Sequence, residues 1–183
     1  MPPCHASNIL RPHRIVLLCL LACCTVLFLS GCQEQSAPSR ESATADTYFP
    51  IRLGDSTLQL QLALTPFERG KGLMFRDAMG EHQGMLFLFE QAERRGFWMK
   101  NTSIPLDLGY FDASGRLQEV HPLYPFDETP VASKSDQIVI AVETNQGWYA
   151  ANQITAGARL DLDALKAAVS RRGLNLATFA IED

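Results

Sequence analysis

A mainly β fold, with a mostly antiparallel sheet curled into a compact barrel or sandwich, is what this sequence predicts; α+β is the alternative. Three observations carry the expectation. Many short apolar segments are separated by Gly, Pro or polar residues, turn signals recur roughly every ten residues, and few segments have helical patterning.

Taken in order, Leu58, Leu60, Leu62 and Leu64 alternate with Gln59, Gln61 and Ala63, a period of two that predicts a strand with one wet face. Phe49 to Gly54 is its expected hairpin partner across Gly54-Asp55. Thr65-Pro66-Phe67-Glu68 has a capping hydroxyl, a Pro at the first helical position and a Glu at the third, so a short helix should start there and stop by Gly72. Met85–Phe89, Gly96–Lys100, Pro105–Phe111, Arg116–His121, Gln137–Glu143 and Ala158–Leu162 read as short strands. Trp148–Ile154 fits one or two helical turns, and Asp163 is expected to cap a last helix running through Arg172 to Gly173.

The first 31 residues have a different character. Arg11, His13 and Arg14 precede Ile15–Leu29, a stretch of 15 residues that is apolar apart from one Thr. It is short for a membrane span, which takes about 20, and reads as a secretory signal. Leu29-Ser30-Gly31-Cys32 follows and resembles the lipobox of bacterial lipoproteins, which implies cleavage before Cys32 and lipid on its thiol. Two or more acyl chains hold a protein stably where one does so marginally, so the expected membrane contact is through Cys32. Gln33 after the cysteine, in place of Asp, matches the pattern associated with outer-membrane sorting. The expected organisation is a signal peptide over 1–31, lipidated Cys32 with a tether to residue 46, and a β-rich domain over 47–183 whose core ends near 162 before a C-terminal helix and tail.

Cleavage would remove Cys4, Cys19, Cys23 and Cys24 and lipid would consume Cys32, leaving no thiol for disulfides, metal binding or nucleophilic catalysis. The formal net charge of −4 over the whole chain becomes about −6 once the signal's two arginines leave. That balance argues against nucleic acid as a partner, because phosphate binding needs clustered positive charge.

Gly72-Leu73-Met74, Gly84-Met85-Leu86-Phe87 and the long run Phe97-Trp98-Met99-Lys100-Asn101-Thr102-Ser103-Ile104-Pro105-Leu106-Asp107 resemble the motifs of the domain of unknown function 192 family. The likeness spans roughly Glu68 to Gly157 and implies secretion or lipid anchoring, with no activity attached.

Read from the residues, Trp98 and Lys100 share one side of an alternating run, an aromatic platform beside a cation that suits a sugar or an anionic polar ligand. The plainer reading is a core Trp with Lys100 reaching to water. Asn101 and Asp107 complete the expected ligand site with Arg69 and Arg76; Asp107 is unusual in an apolar strand, and Lys100, Arg69 or Arg76 is its expected ion-pair partner. Glu143 ends another apolar strand, and with Asp107 it offers the two carboxylates of a glycosidase-like acid and base, the hydrolase alternative. Met74, Met79, His82, Met85 and Met99 have donors that suit Cu(I), although methionines more often fill gaps in cores. Phosphate-loop, Gly-x-Ser-x-Gly and His-Glu-x-x-His patterns do not occur. The expectation is therefore a lipid-anchored, periplasm-facing binding domain for a polar small molecule or glycan, without a cofactor, with a hydrolase or a purely structural, partner-binding lipoprotein as alternatives.

Overall fold

Strand β1 (Phe49–Leu53) pairs antiparallel with β2 (Ser56–Ala63), placing Phe49 opposite Leu60 and Leu53 opposite Ser56. Gly54 makes the turn at φ +56, and a Cβ there would lie 2.8 Å from Ile154 Cδ1, so conformation and space both require glycine. These features belong to a computed structural model that describes residues 42–182, within a unit running from Glu41 to Asp183. The expected signal peptide, Cys32 and the tether as far as residue 41 lie outside the described residues. Among the described residues no helix is long and apolar enough to cross a membrane.

Helix α1 (Pro66–Lys71) starts with the anticipated capping box. Thr65 Oγ1 accepts the Glu68 N–H at 3.2 Å, and Glu68 Oε2 accepts the N–H groups of Leu64 and Thr65 at 2.8 and 3.0 Å. Burial pushes the Glu68 carboxyl upward, but these donors and Arg172 together hold it below its ordinary value. Thr65→Ala should cost about 1 kcal/mol in urea unfolding, the usual worth of an N-cap hydroxyl.

The helix carries the chain over the sheet, so β3 (Gln83–Glu93) joins β2 in parallel, a crossover that a hairpin cannot make. After β4 (Gly96–Phe97) come β5 (Leu106–Phe111), β6 (Leu117–Leu123), β7 (Val131–Ala132) and β8 (Ile138–Asn145). The main sheet has the order β1-β2-β3-β8-β5-β6, and β4 pairs with β7 in a second, two-stranded sheet. The fold is thus mostly β, as expected, but the barrel is not: β1 and β6 are separate edges of an open, mixed sheet. The reason lies in the central strands. β5 and β8 are buried almost throughout, and a strand apolar on both sides needs a covered sheet rather than a barrel with a wet exterior.

One face packs against α2 (Trp148–Ala151) and α3 (Leu162–Arg171) through Leu60, Leu86, Val142, Trp148, Leu165 and Val169; the other collects Met85, Phe87, Leu108, Tyr110 and Met99. Arg172 fastens the C-terminal helix to this frame, donating to Leu62 O at 2.8 Å and pairing with Glu68. The residues beyond 162 are therefore part of the core, covering the first face.

Local departures have local causes. The strand expected over 96–100 stops at Phe97, because Asn101 turns at φ +52 while Met99 and Phe126 draw the chain into loop hydrogen bonds with Asp127 and Thr102. Ala158–Leu162 makes only isolated bridges, Leu53 with Leu160 and Arg116 with Arg159. Asp161, not Asp163, caps α3, accepting the Ala164 N–H at 3.0 Å. The expected wet face of β2 is dry at Gln61, whose amide bonds Asp46 O and Arg76. Ala43 packs against the core, and Asp46 O accepts the Gln61 amide at 3.0 Å.

Candidate functional site

The face of the sheet away from α3 opens into a groove of about 430 Å³. Its floor comes from β3 and β8. Met85 lies opposite Glu143, and Phe87 opposite Ala141, so Glu143 and Phe87 project to the same side. One wall is the end of α1 with Gly72–Met74; the other is Glu93–Trp98 with Thr102. Gly72, at φ +48, lets the first wall approach to 3.4 Å of the Phe87 ring, measured from the position a Cβ would take. The pairing of β3 with β8 becomes irregular between Leu88 and Glu93, and such a break turns a strand aside; here it delivers Arg94, Arg95 and the second sheet to the groove.

Aromatic rings line the middle. Phe87 and Phe97 meet edge to face at 4.9 Å, and Phe97 meets Tyr110 at 5.9 Å. Trp98 is 45% exposed, with the Lys100 ammonium 5.1 Å from its ring centroid. The anticipated pairing of Trp98 with Lys100 is formed, on a loop rather than a strand. The core reading of Trp98 fails because Met99 takes the inward position, at 1% exposure.

Charge is uneven along the groove. Arg69, Lys71, Arg94 and Arg95 line it, with Glu93 and Glu143 as the acids. Arg69 is committed, donating to Leu64 O, Leu88 O and the carboxylate of Glu90. Arg95 lies 3.8 Å over the Phe89 ring and pairs with Glu93, yet its Nε is buried without a hydrogen-bond partner among the described residues. Burial, and then the neighbouring Arg69 charge, lower its pKa. Glu143 is 5% exposed and its carboxyl has no hydrogen bond among the described residues. Burial pushes it up to about 8, with the charge of Arg76 opposing, so at neutral pH it is mostly a neutral acid that can donate as well as accept.

The remaining expected residues are placed elsewhere. Asp107 pairs with Thr144 in register, whereas Glu143 pairs with Leu108, which puts the two carboxylates on opposite faces of the sheet. They share no cleft, and the paired-carboxylate hydrolase loses its geometry. None of the expected cations reaches Asp107; Oδ2 accepts the Gly147 N–H at 2.7 Å, and burial raises its pKa. Asp107→Asn keeps that acceptor, so its melting midpoint at pH 7 should be unchanged or higher, where an ion pair would have produced a large drop. Arg76 is held by Gln61 and by Tyr48 Oη at 3.3 Å, outside the groove lining. Asn101 is exposed in its turn, and its carbonyl accepts the Phe75 N–H. Met85 and Met99 are core residues and Met79 packs beside them, whereas Met74 lines the groove. His82 is bonded instead to the indole N–H of Trp148 at 3.1 Å, in the other cluster, so the methionine and histidine donors are not gathered. No group of three or more His, Cys, Asp or Glu suited to a metal occurs among the described residues.

Sequence reasoning missed Lys71, Arg94, Arg95, Phe87 and Phe89. The available signal was the pair Arg94-Arg95 immediately before the Phe97-Trp98 motif.

Comparison with known proteins adds a family model, DUF192, described as an uncharacterized ACR, which matches residues 50–162. No curated protein matches the chain. Among solved structures, one from Sinorhizobium meliloti 1021, named as a proposed transcription regulator, is 30% identical with a TM-score of 0.60, covering 63% of this chain and 95% of its own. A protein of unknown function from Novosphingobium aromaticivorans DSM 12444 is 28% identical with a TM-score of 0.60, covering 69% of this chain and 98% of its own.

Proposed function

The chain belongs to the uncharacterised DUF192 family, and from that premise we propose that it is a lipid-anchored, periplasm-facing binding domain that holds a polar small molecule or glycan in the Trp98 groove. The observation that carries the reading is the groove itself, which joins an apolar aromatic middle to a few polar groups, the usual make-up of a small-molecule site. Trp98 offers a half-exposed flat surface on which a sugar ring can stack, with Lys100 steadying it from beside. The anchor rests on the order of basic start, apolar core and Leu29-Ser30-Gly31-Cys32, and Gln33 favours the outer membrane. The S. meliloti protein is named for transcription regulation; direct contact with nucleic acid by this chain sits poorly with a net charge of −4.

The two parts of the proposal have separate tests. Cys32→Ser should abolish incorporation of labelled palmitate and release the protein from the membrane fraction; continued labelling would overturn the anchor. Binding can be read from tryptophan fluorescence, because the chain has two tryptophans and Trp148 is buried against His82. A ligand in the groove should quench the wild type and leave Trp98→Phe unquenched. Absence of any response or calorimetric heat across sugars, peptidoglycan fragments and small anions would favour the structural, partner-binding alternative.

A further inference from the structure

The two ends of the groove differ in kind, and the difference selects a ligand. Glu143 lies in register with Met85, while Arg69 and Arg95 lie over the Phe89 ring, four residues further along β3. At about 3.3 Å per residue these ends are about 13 Å apart. At one end is a carboxyl, more than nine-tenths buried, open to the groove and without a hydrogen-bond partner among the described residues. Toward the other are Arg95, which pairs with Glu93 and donates to Gln91 O, and exposed Arg94, which donates to Lys134 O at 3.1 Å, and Lys71 adds a further cation to the lining. Phe87, midway between Met85 and Phe89 on β3, and Phe97 against it lie between them, and Trp98 lines the same groove. A polar group shielded from bulk water and left without a partner costs stability, and a ligand in the groove would supply the one that Glu143 lacks.

Resting on the reading of the groove as a binding site, we infer that its ligand is an acidic saccharide of about disaccharide length, its carboxylate or phosphate held at the Arg94–Arg95 end and an oxygen of the far sugar accepting a hydrogen bond from Glu143. A lone small anion would satisfy the basic end and leave Glu143 unpaired. A neutral sugar would do the reverse. An acidic disaccharide reaches both ends and stacks a ring against Trp98.

Glu143 can donate only while protonated. Tyr110 of β5 shares the Glu143 side of the sheet, Arg76 from the loop after α1 acts on it through its charge, and Tyr149 of α2 lies on the opposite face with its hydroxyl on Val142 O; the other charged groups of the groove are Arg69, Lys71, Glu93, Arg94 and Arg95. Burial pushes both tyrosines above their ordinary range. Burial holds the Glu143 carboxyl near 8, so it loses its proton, and with it the ability to donate, as pH rises from about 7 to 9. Binding should weaken as pH rises through that window.

The test is calorimetry on the full-length protein in detergent, with N-acetylglucosaminyl-N-acetylmuramic acid as the acidic probe, N,N′-diacetylchitobiose as its neutral counterpart, glucose 6-phosphate as a shorter phosphate-bearing sugar, and inorganic phosphate. The acidic disaccharide should bind at least about tenfold more tightly than the neutral one, and Lys71→Ala with Arg94→Ala, both at exposed positions, should remove that preference. Glu143→Leu should lose affinity at pH 6, while Glu143→Gln, which keeps a neutral donor, should bind with a flat pH profile. Thermal melts of each variant separate lost binding from lost folding. Equal affinity for the acidic and neutral disaccharides would overturn the inference and leave the binding reading standing. Inorganic phosphate or glucose 6-phosphate binding as tightly as the disaccharide would overturn the length argument. If none of the four probes binds and Trp98 fluorescence is unmoved, the inference and the reading beneath it both fall.

Discussion

Glu143→Gln is expected to stabilise the protein at pH 7, an unusual result for a substitution inside a central strand. The carboxyl sits near 8 in the folded chain, against 4.5 as its ordinary value, and the main cause is burial. The folded state therefore holds its proton where the unfolded state has released it. In linkage terms the folded protein binds more protons between about pH 4.5 and 8, so stability falls as pH rises through that window and levels off above it. At 1.36 kcal/mol per pKa unit, the cost already incurred at pH 7 is about 3 kcal/mol. Removing it should raise the midpoint by roughly 6 to 12 °C at pH 7 and by little at pH 4.5, for a chain of this size. Thermal melts of both proteins from pH 4 to 9 provide the check. Equal slopes for wild type and variant would mean that Glu143 is not protonated in the fold. A group retained at such a cost is commonly one that function needs, which links this stability prediction to the binding proposed for the same carboxyl.

Gly84→Ala should have the opposite and comparably large effect. Gly84 begins the inner stretch of β3 with Leu60 on one side and Thr144 of β8 on the other as register partners. An added Cβ would lie 2.4 Å from the Glu143 carbonyl oxygen and 3.0 Å from Leu60 Cδ2. The first neighbour is backbone in a strand paired on both sides, so it cannot swing away as a side-chain end could. Overpacking typically costs about 1 to 3 kcal/mol and more where the backbone must move, and we expect about 3 kcal/mol or above. Denaturant unfolding should show a lower midpoint with an unchanged slope, and the groove, whose floor carries Glu143, should lose ligand response together with stability. A variant of wild-type stability would show that β3 and β8 can separate at this point. Gly147 offers a control: nothing lies within 4 Å of a Cβ there, so Gly147→Ala should cost only the strain of its φ of +86.

The sequence alone revealed the parts of the fold that depend on neighbours along the chain. Alternating leucines gave β1 and β2 with their turn at Gly54, and Thr65-Pro66-Phe67-Glu68 gave the capped helix with its stop at Gly72. These are short-range effects of side-chain period and hydrogen-bond capping, and they do not wait for tertiary contacts. The pairing of Trp98 with Lys100 was legible because the two residues are near neighbours along the chain, although they sit on a loop and not on the expected strand. The family could be recognised from the run Phe97 to Asp107, which is contiguous.

What the sequence could not supply was every relation between distant segments. Asp107 and Glu143 looked equivalent as acids in apolar strands, yet one residue of register places them on opposite faces, and only strand pairing sets register. The expected barrel or sandwich is instead one open, mixed sheet with β2 and β3 parallel, because central strands apolar on both sides need cover on both faces. The basic part of the groove exists because β3 breaks from β8 near Phe89 and brings Arg94 and Arg95 to the groove that the end of α1 also lines. Local chemistry along the chain thus determined the strands, the helix cap and the aromatic motif, whereas the assembled sheet decided which charges meet, because burial and distance are properties of packing and not of sequence order.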